Sequence, residues 1–288
     1  MQKIFHISQQ KMLFLLKKIA MRFFCLDRID STNAYLLRFP EQDRVGTVVS
    51  AMEQTAGKGM ADNSWESAPG QNLTFSMGVD MSFLKAADQF VLSEAVPLAV
   101  LEVLDSLLLR AKVPGVSAES LSVKWPNDLY YGDRKLGGIL ISSTIHGDHM
   151  GVSVVGIGLN VNQTQFQDWP VPPISLKMIL GRELELVPLM ERLVTAVNRK
   201  RELLRMEEGP NRIGYGYLNR LYRYHQWADY EVNGARIRLF IMGIDPFGRL
   251  FTQDEHMREH VFDIKEIRFL LEDRSKKTED RRGDYPEG

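Results

Sequence analysis

The sequence predicts an α+β chain: one large domain of mixed strands and helices, followed by a small β-barrel. Three observations carry this. Alternating, β-branched segments recur between residues 45 and 161. Longer stretches with helical spacing of apolar residues separate and follow them. From Tyr230 the chain runs in short strand-like pieces broken by turn signals. The 288 residues leave room for one large domain and one small one. A hydrophobic content of 44% and a charged content of 25% are those of an ordinary globular protein.

The elements follow in order. Residues 1–20 are expected to form an extension outside the fold. Met12-Leu13-Phe14-Leu15-Leu16 is apolar, but Lys17-Lys18 cuts it short of a membrane span. Its charge order is not that of a secretory signal. Met21 would serve as an alternative start, because the strand-like Arg22-Phe23-Phe24-Cys25-Leu26 begins there. Asp30-Ser31-Thr32-Asn33 offers side-chain oxygens to cap free amides and predicts a short helix over 34–39, stopped by Pro40. Residues 45–52 read as a strand. A long loop over 54–70 pivots on Gly57, Gly59 and Gly70. Residues 72–77 alternate as a strand, and 90–109 have helical spacing with Pro97 expected to bend the helix. Strands over 123–131 and 135–143 flank Gly132-Asp133, a hairpin signal. A further strand spans 152–161. A long helix over 184–207 is entered through Pro188, and 211–224 places Ile213, Tyr217, Leu221 and Tyr224 at helical spacing.

The organisation is therefore an extension over 1–20, a large domain over 21–224, an SH3-type barrel over 225–272 and a tail over 273–288. Asn233-Gly234 and Asp245-Pro246-Phe247-Gly248 supply the barrel's turns. The tail is rich in charge, Gly and Pro and is expected to be disordered. No internal repeat is apparent.

Composition also excludes classes of partner. Thirty-six basic residues face thirty-seven acidic ones, so no global positive field draws nucleic acid, and no membrane segment is expected. The single cysteine, Cys25, precludes an intramolecular disulfide and suits a reducing, cytoplasmic setting. Between Leu and Phe neighbours it reads as a small buried hydrophobe. The six histidines lack metal-ligand spacing; His146 and His149, beside Asp148, read as solvated turn residues.

The chemistry concentrates in two blocks. Lys124-Trp125-Pro126-Asn127-Asp128 is followed, one tight turn later, by Arg134-Lys135-Leu136-Gly137-Gly138. Cations, a carboxylate, an amide, a ring and two bare backbone positions suit an anionic ligand approached closely by main chain. Lys135 can neutralise charge that grows on a carboxylate or phosphate in a transition state. Gly57-Lys58-Gly59 can offer backbone N–H groups, but it is neither a P-loop nor a dinucleotide fingerprint. Gly156 and Gly158 lie in a strand, where glycine marks close approach by a ligand or by other backbone, and tight packing accounts for them equally well. Trp65, in a polar loop, either covers something apolar or anchors the loop on the core.

These blocks resemble a known family. Asp30-Ser31-Thr32-Asn33, Gln54-Thr55-Ala56-Gly57-Lys58-Gly59, Asn63-Ser64-Trp65, Asn72-Leu73-Thr74-Phe75-Ser76, the two blocks above and Gly156-Ile157-Gly158-Leu159-Asn160-Val161-Asn162 occur in the order seen in biotin–protein ligases. The resemblance is dense from Phe24 to Asn162 and loose over the barrel. It implies a mixed or antiparallel sheet with flanking helices, of the class II synthetase-like kind shared by biotin and lipoate ligases. It also implies a two-step reaction with ATP, Mg²⁺ and biotin. The biotin carboxylate attacks the α-phosphate to give biotinyl-5′-AMP and pyrophosphate. A lysine of a biotin carboxyl carrier protein then takes the biotinyl group.

By position in these motifs, the resemblance implies that Ser31, Thr32, Asn33 and Gln54 contact the biotin ring. Lys58, Gly59 and Met60 would lie against biotin and the adenylate. Lys135 would act as the catalytic lysine, touching the biotin carboxylate and then the acyl-phosphate. Gly138, Gly156 and Gly158 would let backbone approach the ligand. Lys58, Trp65, Asn127 and Asn160 would face the nucleotide, and Asp128 a magnesium ion. The loop from Gly57 to Trp65 is expected to close over the intermediate and keep water from it.

Two departures matter. Many family members carry arginines in the glycine loop, where this chain has Lys58 and Met60. The bidentate fork is lost at both, and the second charge is lost too. The loop is thus expected to hold the adenylate by backbone and packing more than by salt bridges. The stretch before the first strand is also too short for the DNA-binding domain that some ligases carry, so no repressor role is expected. The alternatives are a lipoate or octanoate ligase of the same fold and a non-catalytic biotin-sensing module. Oligomeric state is not encoded in these motifs, and a homodimer is left open.

Overall fold

Burial along each strand sets its place in the sheet. A computed structural model describes residues 21–60 and 63–271. The expected extension over 1–20 and tail over 273–288 lie outside the described residues. Contacts divide the chain into two compact units, Met1–Tyr222 and Arg223–Gly288.

In the first unit, β3 (Leu73–Asp80) and β7 (His149–Leu159) are buried along nearly their whole length. A strand covered on both faces belongs in the middle of a sheet, and these two pair with each other. By contrast β1 (Arg22–Ile29) has no buried residue and sits at an edge. With β2 (Thr47–Gln54), β4 (Leu121–Lys124), β5 (Asp128–Tyr131) and β6 (Arg134–His146), the seven strands run in the order β1-β2-β3-β7-β6-β5-β4. Only β1 and β2 pair in parallel, through a crossover that holds α1 (Thr32–Leu37) and α2 (Glu41–Arg44). Leu36 of α1 seats on Val49 and Val154, all fully buried, and each such side chain contributes about 1.5–3 kcal/mol.

The helices α3 (Phe90–Ala111), α5 (Leu186–Leu204) and α6 (Gly209–Leu218) pack on one another, and the short α4 (Leu176–Leu180) precedes α5. α3 runs through Pro97 as one element. Tyr217 of α6 is fully buried and its hydroxyl donates to Pro126 O at 3.0 Å. Burial pushes that phenol well above its usual range.

Several expectations need correction. The strand expected over 123–131 is two strands, because Trp125-Pro126, a cis peptide, and Asn127 form the turn between them; Pro126 has no N–H to give a ladder. The helix expected over 211–224 ends at Leu218, since the following residues pair with β4: Val123 N donates to Arg220 O at 2.7 Å and Tyr222 N to Val123 O at 2.8 Å. Cys25 is exposed rather than buried, because its strand lies at the sheet edge; Ser50 Oγ donates to its sulfur. His146 is not merely solvated, for its Nε2 meets Glu41 at 2.9 Å.

The second unit is a five-stranded antiparallel sheet, order β11-β10-β9-β8-β12, of SH3-like type. Its strands are β8 (Trp227–Val232), β9 (Ala235–Ile244), β10 (Leu250–Asp254), β11 (Glu259–Phe262) and β12 (Ile267–Phe269). Asn233 and Gly234, with φ of 52° and 77°, make the tight turn expected between β8 and β9. Asp245 and Asp254 brace the next two turns alike, each accepting two backbone amides and the arginine four residues on.

Candidate active site

The site is built on one face of the first unit's sheet. Gly156 on β7 pairs with Ser76 on β3 and Leu140 on β6. Two residues along, Gly158 pairs with Thr74 and Gly138, and Gly138 with Asp128 on β5. Side chains two apart share a face, so Gly138, Gly156 and Gly158 leave three bare positions on neighbouring strands. The result is a trough.

The start of α1 closes one end of the trough with buried polar groups. Ser31 caps the helix, its Oγ accepting Ala34 N at 3.4 Å. Gln54 Oε1 accepts Thr32 N at 2.8 Å, and Thr32 Oγ1 shares a hydrogen bond with Ser76 Oγ at 2.9 Å. Asn33 Nδ2 donates to Leu140 O at 3.4 Å, and Ser142 Oγ donates to Asn33 Oδ1 at 3.4 Å. Ser31, Thr32, Asn33 and Ser76 are all buried. A Cβ on Gly156 would come within 3.3 Å of Asn33 Nδ2, Ser76 Oγ and Leu140 O, so this glycine is a place of close approach. The structure thus gathers Ser31, Thr32, Asn33, Gln54 and Gly156 into one neutral floor, with Ser76 as a member the motif reading did not single out.

The other end is ionic. Lys135 Nζ lies 2.7 Å from Asp128 Oδ1, and Lys124 Nζ lies 3.8 Å from Asp128 Oδ2. Lys135 and Gly138 are an odd number of residues apart and would face opposite ways in a regular strand. The register between β5 and β6 shifts at Leu129/Tyr130, so Lys135 pairs with Tyr130 while Gly137 pairs with Leu129. That bulge turns Lys135 onto the trough face, and a Cβ on Gly138 would lie 3.8 Å from its Nζ.

Trp65 lies across the trough. A Cβ on Gly158 would sit 2.5 Å from its Cε2, so the indole rests on bare backbone. Its Nε1 is buried and has no acceptor among the described residues; a ligand oxygen would supply one. The loop before it is a small ladder, with Trp65 N donating to Gly57 O at 2.9 Å and Gly59 N to Asn63 O at 2.6 Å. Lys58, Gly59 and Met60 lie in this ladder, and no hydrogen bond among the described residues joins them to the floor.

Two residues expected at the nucleotide also brace the scaffold through their Nδ2 atoms. Asn127 Nδ2 donates to Ile139 O at 2.6 Å. Asn160 is buried, and its Nδ2 donates to Ile174 O at 3.2 Å and to Lys135 O at 3.4 Å. The donor set at Asp128 does not suit a protein-held magnesium ion. It is one carboxylate with an ammonium against each oxygen, and no group of three His, Cys, Asp or Glu side chains among the described residues is placed to hold a metal.

Sequence reading missed the segment from Gln163 to Trp169. With Gln54, Gly57, Trp65 and Ala68 it lines a cleft of about 620 Å³ that also exposes Phe166 and Trp169. The signal was present: two aromatic rings in a stretch of Gln and Pro, as unusual there as Trp65 in its own loop. None of the helices among the described residues is long and apolar enough to cross a membrane.

Comparison with known proteins shows the family and the fold. Residues 25–160 match the model of the biotin/lipoate A/B protein ligase family. The chain is 30% identical over 182 residues to the biotin–[acetyl-CoA-carboxylase] ligase of Paracoccus denitrificans, covering 60% of this chain and 70% of that protein. It is 37% identical over 145 residues to the bifunctional ligase/repressor BirA of Escherichia coli (strain K12), but covers only 40% of it. Against the human biotin–protein ligase it is 30% identical over 235 residues and covers 30% of that length. The chain thus spans less than half of these two longer relatives. The fold matches the biotin protein ligase of Aquifex aeolicus in complex with biotin and ATP, with a TM-score of 0.67 at 21% identity over 86% of this chain and 99% of that one. On its match to the Paracoccus ligase and the family model together, this chain belongs to the biotin/lipoate A/B protein ligase family, among the biotin–protein ligases.

Proposed function

We propose that this protein is an ATP-dependent biotin–protein ligase that makes biotinyl-5′-AMP and passes the biotinyl group to a lysine of a biotin carboxyl carrier protein. The observation that carries this is the buried neutral floor beside a glycine trough with Lys135 at its far end. A ureido ring brings one carbonyl and two N–H groups. Thr32 and Ser76 hydroxyls can donate or accept, and the Asn33 and Gln54 amides do both. The dithiolane ring of lipoate offers neither kind of group and would make no use of the donor and acceptor capacity that these side chains keep beyond their bonds to one another. The floor therefore favours biotin over lipoate.

In the first step a biotin carboxylate oxygen attacks the α-phosphorus of ATP, and the bond to the β-phosphate's bridging oxygen breaks to release pyrophosphate. Two anions must meet, and Lys135 offsets their repulsion. Asp128 holds the Lys135 ammonium in place from β5. The adenine base of ATP is assigned to the side of the cleft lined by Phe166 and Trp169, whose rings offer it stacking surface. Trp65, lying on Gly158, keeps water from the mixed anhydride. In the second step the carrier lysine, as free amine, attacks the acyl carbon; the bond to the AMP oxygen breaks and the amine sheds a proton.

Incubation with ATP, Mg²⁺, biotin and a carrier domain, read by intact mass, is expected to add one biotinyl group. A carrier that gains lipoyl instead, or a wild-type protein without biotin-dependent ATP–pyrophosphate exchange, would replace this reading with the lipoate ligase or the sensor.

A further inference from the structure

We infer that Gln163 is a positioning residue that couples the two walls of the cleft, so that a ligand on one wall is bound more tightly when the other is occupied; this rests on the ligase reading above. One wall is residues 64–68, which carry Trp65. The other is residues 163–169, which carry Phe166 and Trp169. Gln163 Oε1 accepts Ala68 N at 3.0 Å and Asn72 Nδ2 at 2.6 Å, while its Nε2 donates to Gln165 O at 2.8 Å. One planar amide therefore bonds in three directions: to the chain behind Trp65, to Asn72 at the entrance to β3 and to the backbone just before Phe166.

The bond from Ala68 to Gln163 is the one hydrogen bond between 64–68 and 163–169 among the described residues. Asn72 anchors the clasp. It is buried, its Oδ1 accepts Val161 N at 2.9 Å, and its Nδ2 also donates to Ser67 Oγ at 3.2 Å. Movement of the Trp65 wall must drag the Gln163 amide, and the Gln165 carbonyl then loses its donor. A link of this kind ties the position of one wall to that of the other, so a ligand that shifts either wall acts on both. The three bonds of the clasp are made by neutral amides and backbone groups, so the coupling assigned to Gln163 is carried by geometry.

The test is calorimetry of biotin binding with and without a non-hydrolysable ATP analogue, in wild type, Gln163→Met and Gln163→Glu. Met fills the space and makes none of the bonds. Glu keeps the acceptor for Ala68 and Asn72 but cannot donate to Gln165, so it separates coupling from folding. In wild type the analogue is expected to tighten biotin by about fivefold or more. In both variants that ratio should fall to within about twofold of unity. The Glu variant should also keep a near wild-type Tm. A wild type in which the analogue leaves biotin affinity unchanged, or a Glu variant with the wild-type ratio, would overturn the inference. A wild type that binds neither biotin nor the analogue would sink the ligase reading itself.

Discussion

Two carboxylates hold opposite ends of β6, and they are wired differently. At the far end Glu41 accepts Thr144 Oγ1 at 2.6 Å, Val152 N at 2.9 Å and His146 Nε2 at 2.9 Å. At the near end Asp128 faces Lys135 Nζ at 2.7 Å and Lys124 Nζ at 3.8 Å. Glu41 is filled by donors fixed to the sheet, including a backbone amide. Asp128 is paired with the ammonium ends of two lysine side chains. A saturated carboxylate locks a strand in register. A carboxylate matched by ammoniums holds positive charge in place beside the trough, where an incoming anion meets it.

The largest expected effect tests the near end. Lys135→Ala should lower biotin-dependent ATP–pyrophosphate exchange by about 100-fold or more. Stability should change by no more than about 1 kcal/mol, because the pair is partly exposed and such pairs contribute little. Near wild-type exchange in this variant would erase the distinction between the two ends. Asp128→Asn should be milder, about tenfold in kcat with little change in the biotin KM, since it frees the ammonium without removing it.

Between the ends, on the facing strand, Gly158→Ala asks whether the bare trough matters. The new Cβ would meet Trp65 Cε2 at 2.5 Å and Cζ2 at 2.8 Å, so the indole has to move. Since displacing a positioned group by about 1 Å costs up to about 100-fold, a loss of about tenfold in kcat/KM is expected. A change in Trp65 emission should accompany it. Unchanged emission with full activity would mean that the ring's seat on Gly158 has no part in the reaction.

What the sequence disclosed follows the same division. Local features were legible: the Ser31 cap, the turns at Gly132-Asp133 and Asn233-Gly234, and the run of strands around them. Their causes lie within a few residues. Features made by distant partners were not. Cys25 has apolar neighbours in sequence, but an edge strand leaves it exposed. Lys135 was singled out for chemistry, yet only the bulge shows how it comes to share a face with Gly138. Asn127 and Asn160 look like ligand amides in the sequence, and their carboxamides are bound to Ile139 and Ile174. Ser76 joined the floor through a bond to Thr32, forty-four residues away.

The smallest expected effect tests the far end and carries a sign. Hydrogen bonds from Thr144 and Val152, then His146, pull the Glu41 carboxyl down from an ordinary 4.5 to about 2. A carboxyl depressed in the folded state contributes stability that is present above its unfolded pKa and fades as pH falls through the folded one. Wild type should therefore hold this contribution above about pH 4.5 and lose it progressively toward pH 2. Glu41→Gln keeps an acceptor oxygen for Thr144 and Val152 but discards the charge. It should cost about 1 kcal/mol at pH 7, and the deficit should shrink as the pH is lowered below 4.5, which thermal melts at a series of pH values would follow. Exchange activity should stay at the wild-type level throughout. If Glu41→Gln instead lowers exchange while leaving the melts untouched, the far carboxylate is part of the chemistry and the two ends of β6 are not divided between scaffold and catalysis.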